Sequence, residues 1–148
     1  MTRAPRETLT GLEYLKLLQS GEIPLSPMAA LLNMTIIEVS KGRAVLGAEP
    51  SHEHTNGIGI VHGGLAATLL DTALGCAVNS LLPAGRIFTT LEVKVNFTRP
   101  IVAGVGPLRC EASVLHAGRR TATAEGRVLD AAGRLYAHGT GTWIAFTD

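Results

Sequence analysis

The chain has 148 residues, 46% of them hydrophobic and 17% charged, so it is long enough to bury a sizeable core in one domain. A formal net charge of +1 supplies no basic field, which sets nucleic acid aside as a partner. Aromatic residues make up only 4%, so that core must be built from Ala, Val, Leu and Ile.

The first residues, Met1 to Glu7, are polar and lack the apolar run of a secretory signal. Leu9, Leu12 and Leu15, with Leu17 and Leu18, predict an amphipathic helix ending near Gly21, and Pro24 and Pro27 punctuate a connector. Residues 1–30 therefore read as an N-terminal helix and connector ahead of a main domain over residues 31–148. Asn33 to Val39 and Arg43 to Glu49 predict two strands joined around Lys41 and Gly42, the first at a sheet edge.

The stretch from Asn56 to Gly64 then places an amide, the His62 imidazole and two glycines at the mouth of an apolar helical run, Leu65 to Leu82. A helix starting near Gly64 has unpaired N–H groups in its first turn, and these carry partial positive charge suited to an oxyanion or a polarised carbonyl. Without a Cβ, Gly63 and Gly64 let a substrate oxygen approach closely. Asp71 is the one acid in the run, and its neighbours one turn away, Ala67, Thr68 and Gly75, are small enough to leave room for a guest. An ionisable group in so apolar a helix costs several kcal/mol unless it is paired or used. Asp71 and Asn79 argue against a membrane span, and a helix apolar nearly all round must be wrapped by protein.

Gly63 and Asp71 are eight residues apart, which on a straight helix is ~12 Å along the axis. A reacting carbonyl must lie about 3 Å from both its polarising donor and the attacking group. One helix cannot supply both, so a shared carbonyl predicts a two-fold dimer with two composite sites.

Downstream, Ile87 to Phe97 alternates, with Leu91, Val93, Val95 and Phe97 on one face and Thr90, Glu92, Lys94 and Asn96 on the other. Three further strands follow, roughly Leu108 to Leu115, Thr121 to Leu129 and Leu135 to Phe146, with turn chemistry at Gly118 and at Asp130 to Gly133. These four strands predict an antiparallel meander. With the earlier pair they make about six strands around one long helix, an α+β architecture. Cys76 and Cys110 lack metal-type spacing and read as buried thiols of a reducing cytoplasm. His52-Glu53-His54 completes no recognisable metal spacing, no Ser-centred nucleophile elbow is present, and the glycines near His62 make no phosphate loop.

Asn56-x-x-Gly59-x-x-His62-Gly63-Gly64, with Asp71 nine residues after the histidine, resembles the signature of hotdog-fold acyl-CoA thioesterases of the phenylacetate-pathway (PaaI) type. The order of elements from about Leu31 to Phe146 fits that family, and the first thirty residues fall outside it. The resemblance implies a hotdog fold, an antiparallel six-stranded sheet wrapped around one central helix, here preceded by an N-terminal helix. It implies hydrolysis of aryl-acetyl, aryl or medium-chain acyl-CoA, with no metal and no cofactor beyond the coenzyme A of the substrate. By resemblance the Gly63 N–H polarises the carbonyl, and Asp71 acts as nucleophile or general base. His62 helps hold the thioester, Asn56 positions the water or the loop itself, and Thr90 falls near the serine or threonine that assists the carboxylate. Gly64 and Thr68 line the substrate path. Arg99 is the preferred candidate for the CoA phosphates, ahead of Arg86, Arg119 and Arg120. The expected assembly is a cytoplasmic homodimer with composite sites, pairing further into a tetramer, with no membrane partner. A hotdog dehydratase or hydratase and a non-catalytic acyl-CoA binder are the alternatives.

Overall fold

A computed structural model describes residues 7–147; the polar start at residues 1–6, read above as lacking a targeting run, lies outside them. Helix α1 (Gly11–Ser20) begins where Thr10 and Glu13 cap each other's backbone N–H groups and stops at Gly21, whose φ of 80° no β-carbon favours. A short α2 (Pro27–Leu31) follows Ser26 in the connector, where the prolines alone did not predict a helix. Strands β1 (Met34–Ser40) and β2 (Arg43–Ala48) turn at Gly42, and a 3-10 turn at His52–His54 precedes the long helix α3 (Gly63–Asn79). Strands β3 (Arg86–Phe97), β4 (Leu108–Ala117), β5 (Thr121–Leu129) and β6 (Leu135–Thr147) complete the chain.

The six strands form one sheet in the order β1-β2-β4-β5-β6-β3, with every neighbouring pair antiparallel. As expected, β1 is an edge. The expected four-strand meander is corrected: β4, β5 and β6 meander, but β3 pairs with β6 at the far edge and does not touch β4 in the ladder. The reason is that β2 already pairs with β4, so the chain must carry α3 across the sheet and lay β3 down on the other side. Residues 98–107 return beneath the entrance of α3, where Val61 N–H donates to the Ile101 carbonyl at 2.9 Å.

Leu65, Leu69, Leu70, Ala73, Leu74, Ala77 and Val78 recur at helical spacing and bury one side of α3 against the sheet. The approach is close because the sheet thins beneath it: a Cβ on Gly126 would stand 2.6 Å from Leu74 Cδ1. At the other end, Gly11 N–H donates to the Leu82 carbonyl at 2.9 Å, and any side chain there would collide with the Asn79 backbone. This fixes α1 on the C-terminal end of α3, and Gln19 Nε2 ties the same helix to β1 by donating to the Ile37 carbonyl at 2.7 Å. No described helix is long and apolar enough to cross a membrane.

Candidate active site

The entrance of α3 is built by the loop before it. The Asn56 side-chain oxygen accepts from Ile58 N–H at 3.1 Å and Ile60 N–H at 3.3 Å, closing the loop on itself. A bridge between Thr55 and Val61 zips its base, and His62 N–H donates to the His54 carbonyl at 2.7 Å. Asn56 is thus brought to the site as the residue that shapes the loop, and the His52–His54 turn supports it. Among the described residues no cluster of three or more His, Cys, Asp or Glu is placed to hold a metal ion.

His62 is the N-cap of α3: its Nδ1 accepts from Gly64 N–H at 2.8 Å. In a neutral imidazole an accepting Nδ1 leaves the proton on Nε2, so the exposed edge of the ring is a donor. Gly64 N–H is consumed by this cap. Gly63 N–H, by contrast, makes no hydrogen bond among the described residues, which leaves it as the free donor at the positive end of the helix. The Phe97 ring covers Gly63 closely, since a Cβ there would stand 3.1 Å from Phe97 Cζ. Thr68 turns its hydroxyl back to the Gly64 carbonyl at 2.8 Å, so it is spoken for within the helix.

Two turns further on, Asp71 is half-buried rather than enclosed in the apolar helix that carries it. Thr90 Oγ1 donates to Asp71 Oδ1 at 2.9 Å, and Oδ2 makes no hydrogen bond among the described residues. Alternation along β3 places Thr90 on the face opposite Val93, and this is corrected. Thr90 pairs with Trp143 and Glu92 with Thr142, so Leu91 is an extra, bulged residue, 56% exposed. The bulge resets the phase, so that Phe88 and Thr90 before it and Val93, Val95 and Phe97 after it all face α3.

Asp71 and Thr90 stand at the junction of two spaces. One is a shallow open cleft of about 350 Å³ between α3 and β3, lined also by Ala67, Thr68, Val93 and Val95. The other is an apolar cavity of about 860 Å³ running back between α3 and the N-terminal segment, with Phe88 and Trp143 on the sheet side and Leu15, Leu18 and Leu25 opposite. Leu15 and Leu18 on the N-terminal wall were read from the sequence only as part of an amphipathic helix, and Leu25 not at all; leucine spacing marks a buried face there but not what it faces. Cys76, expected to be buried, is half-exposed on this cavity, whereas Cys110 is buried in the core and burial pushes its thiol up to about 12.

The arginines divide. Arg86 donates to the carbonyls of Ala145 at 3.3 Å and Arg119 at 3.5 Å, so it braces the start of β3, and Arg119 and Arg120 lie on the nearby β4–β5 turn. Arg99, just past the opposite end of β3 from Arg86, is exposed, with its guanidinium 5.8 Å from the centre of the Tyr136 ring. Within one chain, then, the structure gathers Asn56, His62, Gly63 and Gly64 at one end of the α3–β3 groove and Asp71 with Thr90 further along it.

A model of the thioesterase superfamily matches residues 58–137, a span that holds His62, Gly63, Gly64, Asp71 and Thr90 and begins two residues after Asn56. Human acyl-coenzyme A thioesterase 13 is 32% identical over 111 residues, covering 74% of this chain and 77% of that protein. The Escherichia coli PaaI protein of the phenylacetic acid degradation operon superposes with a TM-score of 0.79 at 25% identity, over 94% of this chain and 96% of that one. The phenylacetic acid degradation protein PaaI of Thermus thermophilus superposes with a TM-score of 0.73 at 29% identity, over 80% and 98% of the two chains.

Proposed function

This chain belongs to the thioesterase superfamily, a thioester hydrolase of hotdog fold, and on that premise we propose that it cleaves acyl-CoA to free acid and coenzyme A in sites shared across a two-fold dimer. The observation that carries this reading is the split of the machinery. A free N–H at Gly63 and a carboxylate at Asp71 lie along one helix, ~12 Å apart in rise, too far to serve one carbonyl from the same chain.

The fold offers a way to join them. Strand β3 is a twelve-residue edge whose outer side is unpaired among the described residues, with Leu91 and Phe97 exposed along it. Antiparallel pairing of two copies about Lys94 sets Val93 of one opposite Val95 of the other, and the extra residue at the Leu91 bulge then brings Phe97 of one opposite Thr90 of its mate. Phe97 packs on Gly63 and Thr90 on Asp71, and both face α3, so this register brings the donor end of one helix toward the carboxylate of its mate. Two such dimers joining gives the expected tetramer.

In the composite site the Gly63 N–H donates to the thioester oxygen as negative charge develops on it, and the proton on His62 Nε2 steadies the same end of the substrate. Asp71 of the mate either attacks the carbonyl carbon or takes a proton from the attacking water; its unbonded Oδ2 suits both routes. The carbon–sulfur bond then breaks, and the sulfur leaves as thiolate to be protonated. On the water route this already gives the free acid; on the nucleophilic route water next adds to the acyl-Asp71 anhydride and releases the acid and the Asp71 carboxylate. Thr90 aims the carboxylate, Asn56 holds the entrance loop, Gly64 and Thr68 line the path, and Arg99 meets the CoA phosphates. Carboxylate and amide suffice for this chemistry, so no resident metal or cofactor takes part.

The test is thiol release from a panel of acetyl-, decanoyl-, benzoyl- and phenylacetyl-CoA by wild type and Asp71→Asn. The expected fall in the variant is at least about 100-fold on every ester turned over. An equally active variant would remove Asp71 from the mechanism. Tight binding of the esters without thiol release by the wild type would instead make the protein a non-catalytic binder.

A further inference from the structure

The cavity behind Asp71 is larger than the chemistry at the carbonyl requires, and one of its walls lies ahead of the residues that match the family model. We propose that this N-terminal segment, through Leu18 of α1 and Leu25 of the connector, closes the acyl pocket and sets the longest apolar acyl group the enzyme takes. The inference rests on the thioesterase reading given above and names the part of the substrate that the rear cavity holds.

The direction of binding follows from what lines each space. Asp71 is the single charged residue among the described residues that line the rear cavity, and no described Lys, Arg or His faces it, so these walls offer the phosphates of a CoA nucleotide no counter-charge. Apolar walls suit an alkyl or aryl group instead, and three of the chain's six aromatic residues, Tyr14, Phe88 and Trp143, are gathered around it. The open cleft on the other side of Asp71 is left for the pantetheine arm. With the thioester carbon at Asp71, the acyl group points back between Gly75 and Phe88 toward α1. Gly75 keeps this passage open, because a Cβ there would already stand 3.3 Å from the Phe88 ring.

The wall is held in place. Gly11 fastens the start of α1 to the end of α3, and Gln19 fastens its last turn to β1, so the helix spans the cavity as a fixed roof. Leu15 in this roof is fully buried, whereas Leu18 and Leu25 are only half-buried and present their side chains to the space. Enlarging these two shortens the pocket, and trimming Leu18 lengthens it.

The experiment measures kcat/KM for acetyl-, hexanoyl-, decanoyl- and dodecanoyl-CoA with the wild type, Leu18→Ala and the Leu18→Phe/Leu25→Phe double variant. In the wild type kcat/KM rises by about fourfold for each methylene buried until the roof is reached. The double variant loses about tenfold or more on decanoyl-CoA and less than about twofold on acetyl-CoA, while Leu18→Ala moves the optimum toward dodecanoyl-CoA. Equal losses on all esters, or none in either variant, overturn the inference and leave the thioesterase reading intact. A second readout needs no turnover: Trp143 is the only tryptophan, and its emission reports free decanoate entering the cavity. Decanoate binding weakened about tenfold in the double variant sustains the assignment even if every ester is left uncleaved; unchanged binding refutes it.

Discussion

Thr90 donates the hydrogen bond that the structure gives to Asp71, at 2.9 Å, and a hydroxyl in that position fixes which carboxylate oxygen is left for chemistry. A hydrogen bond to a charged group contributes about 1.5–3 kcal/mol, so Thr90→Val lowers kcat by about tenfold or more. The check is steady-state kinetics on the best ester of the panel, with Thr90→Ser as control. Serine keeps the donor, so it restores most of kcat; equal defects in the two variants would show that the threonine acts only as a strand former. His62 illustrates a different use of a polar side chain, since its Nδ1 is consumed in capping α3 and only the opposite nitrogen is offered outward. Asn56 goes further in that direction, with its side-chain oxygen committed to two loop N–H groups.

Among the elements, β3 decides whether these residues meet at all. Strict alternation leaves Thr90 and Val93 on opposite faces, and the bulge at Leu91 puts them on one. Period-two patterning has no means of marking where an extra residue is inserted, which is why the strand's existence was legible in the sequence and its phase around the site was not. Helix α3 was legible because Leu and Ala recur at helical spacing with glycines at its mouth, and β5 was bounded to the residue by its turns. The order of β3 in the sheet was hidden for another reason: adjacency in sequence predicts pairing, but β2 had already taken the edge of β4. The cavity wall was hidden too, since it arises only when α1 docks on α3.

The β5–β6 turn was read for its turn chemistry and holds a buried acid as well. Asp130 accepts from the Ala132 and Arg134 backbone N–H groups, from Arg134 Nε and from Tyr136 OH. Burial pushes its pKa up, but the Arg134 backbone N–H, the Arg134 guanidinium and the Tyr136 hydroxyl outweigh it and hold the carboxyl at about 2, below the ordinary 3.8. Because the folded value is the lower one, this turn stabilises the fold fully above the ordinary value, and the contribution is lost as pH falls from 3.8 toward about 2. Melting curves of wild type and Asp130→Asn should therefore differ most near neutral pH and converge over that acidic range. A constant difference across the range would mean the ionised form is not what the turn selects.

At the scale of the whole molecule, the proposed dimer makes each chain the bearer of two half-sites. The donor end of α3 and the Asp71–Thr90 pair lie in one groove, and the stripe of α3 between them, Ala67 and Thr68, is left half-open toward it. Edge-to-edge pairing of β3 would cover that stripe, satisfy the free edge and join each half to its complement in one step. On the proposed reading the acyl end of the substrate belongs to the chain that supplies Asp71, and the polarised oxygen to its mate.

Mixing two inactive variants tests this directly. Asp71→Asn removes the carboxylate. Gly63→Pro removes the free N–H at the first helical position, where proline is tolerated, and His62 ahead of it, with φ −61° and ψ 133°, already has the backbone a following proline requires. The new Cβ would stand 3.1 Å from Phe97 Cζ, so that ring must shift, and the variant's melting temperature and dimer formation are checked beside its activity. Refolded together in equal amounts, random pairing makes half the dimers hybrids, each with one intact composite site, so activity returns to about a quarter of wild type. Mixtures that stay as inactive as either parent, although hybrids are shown to form, would contradict the shared site.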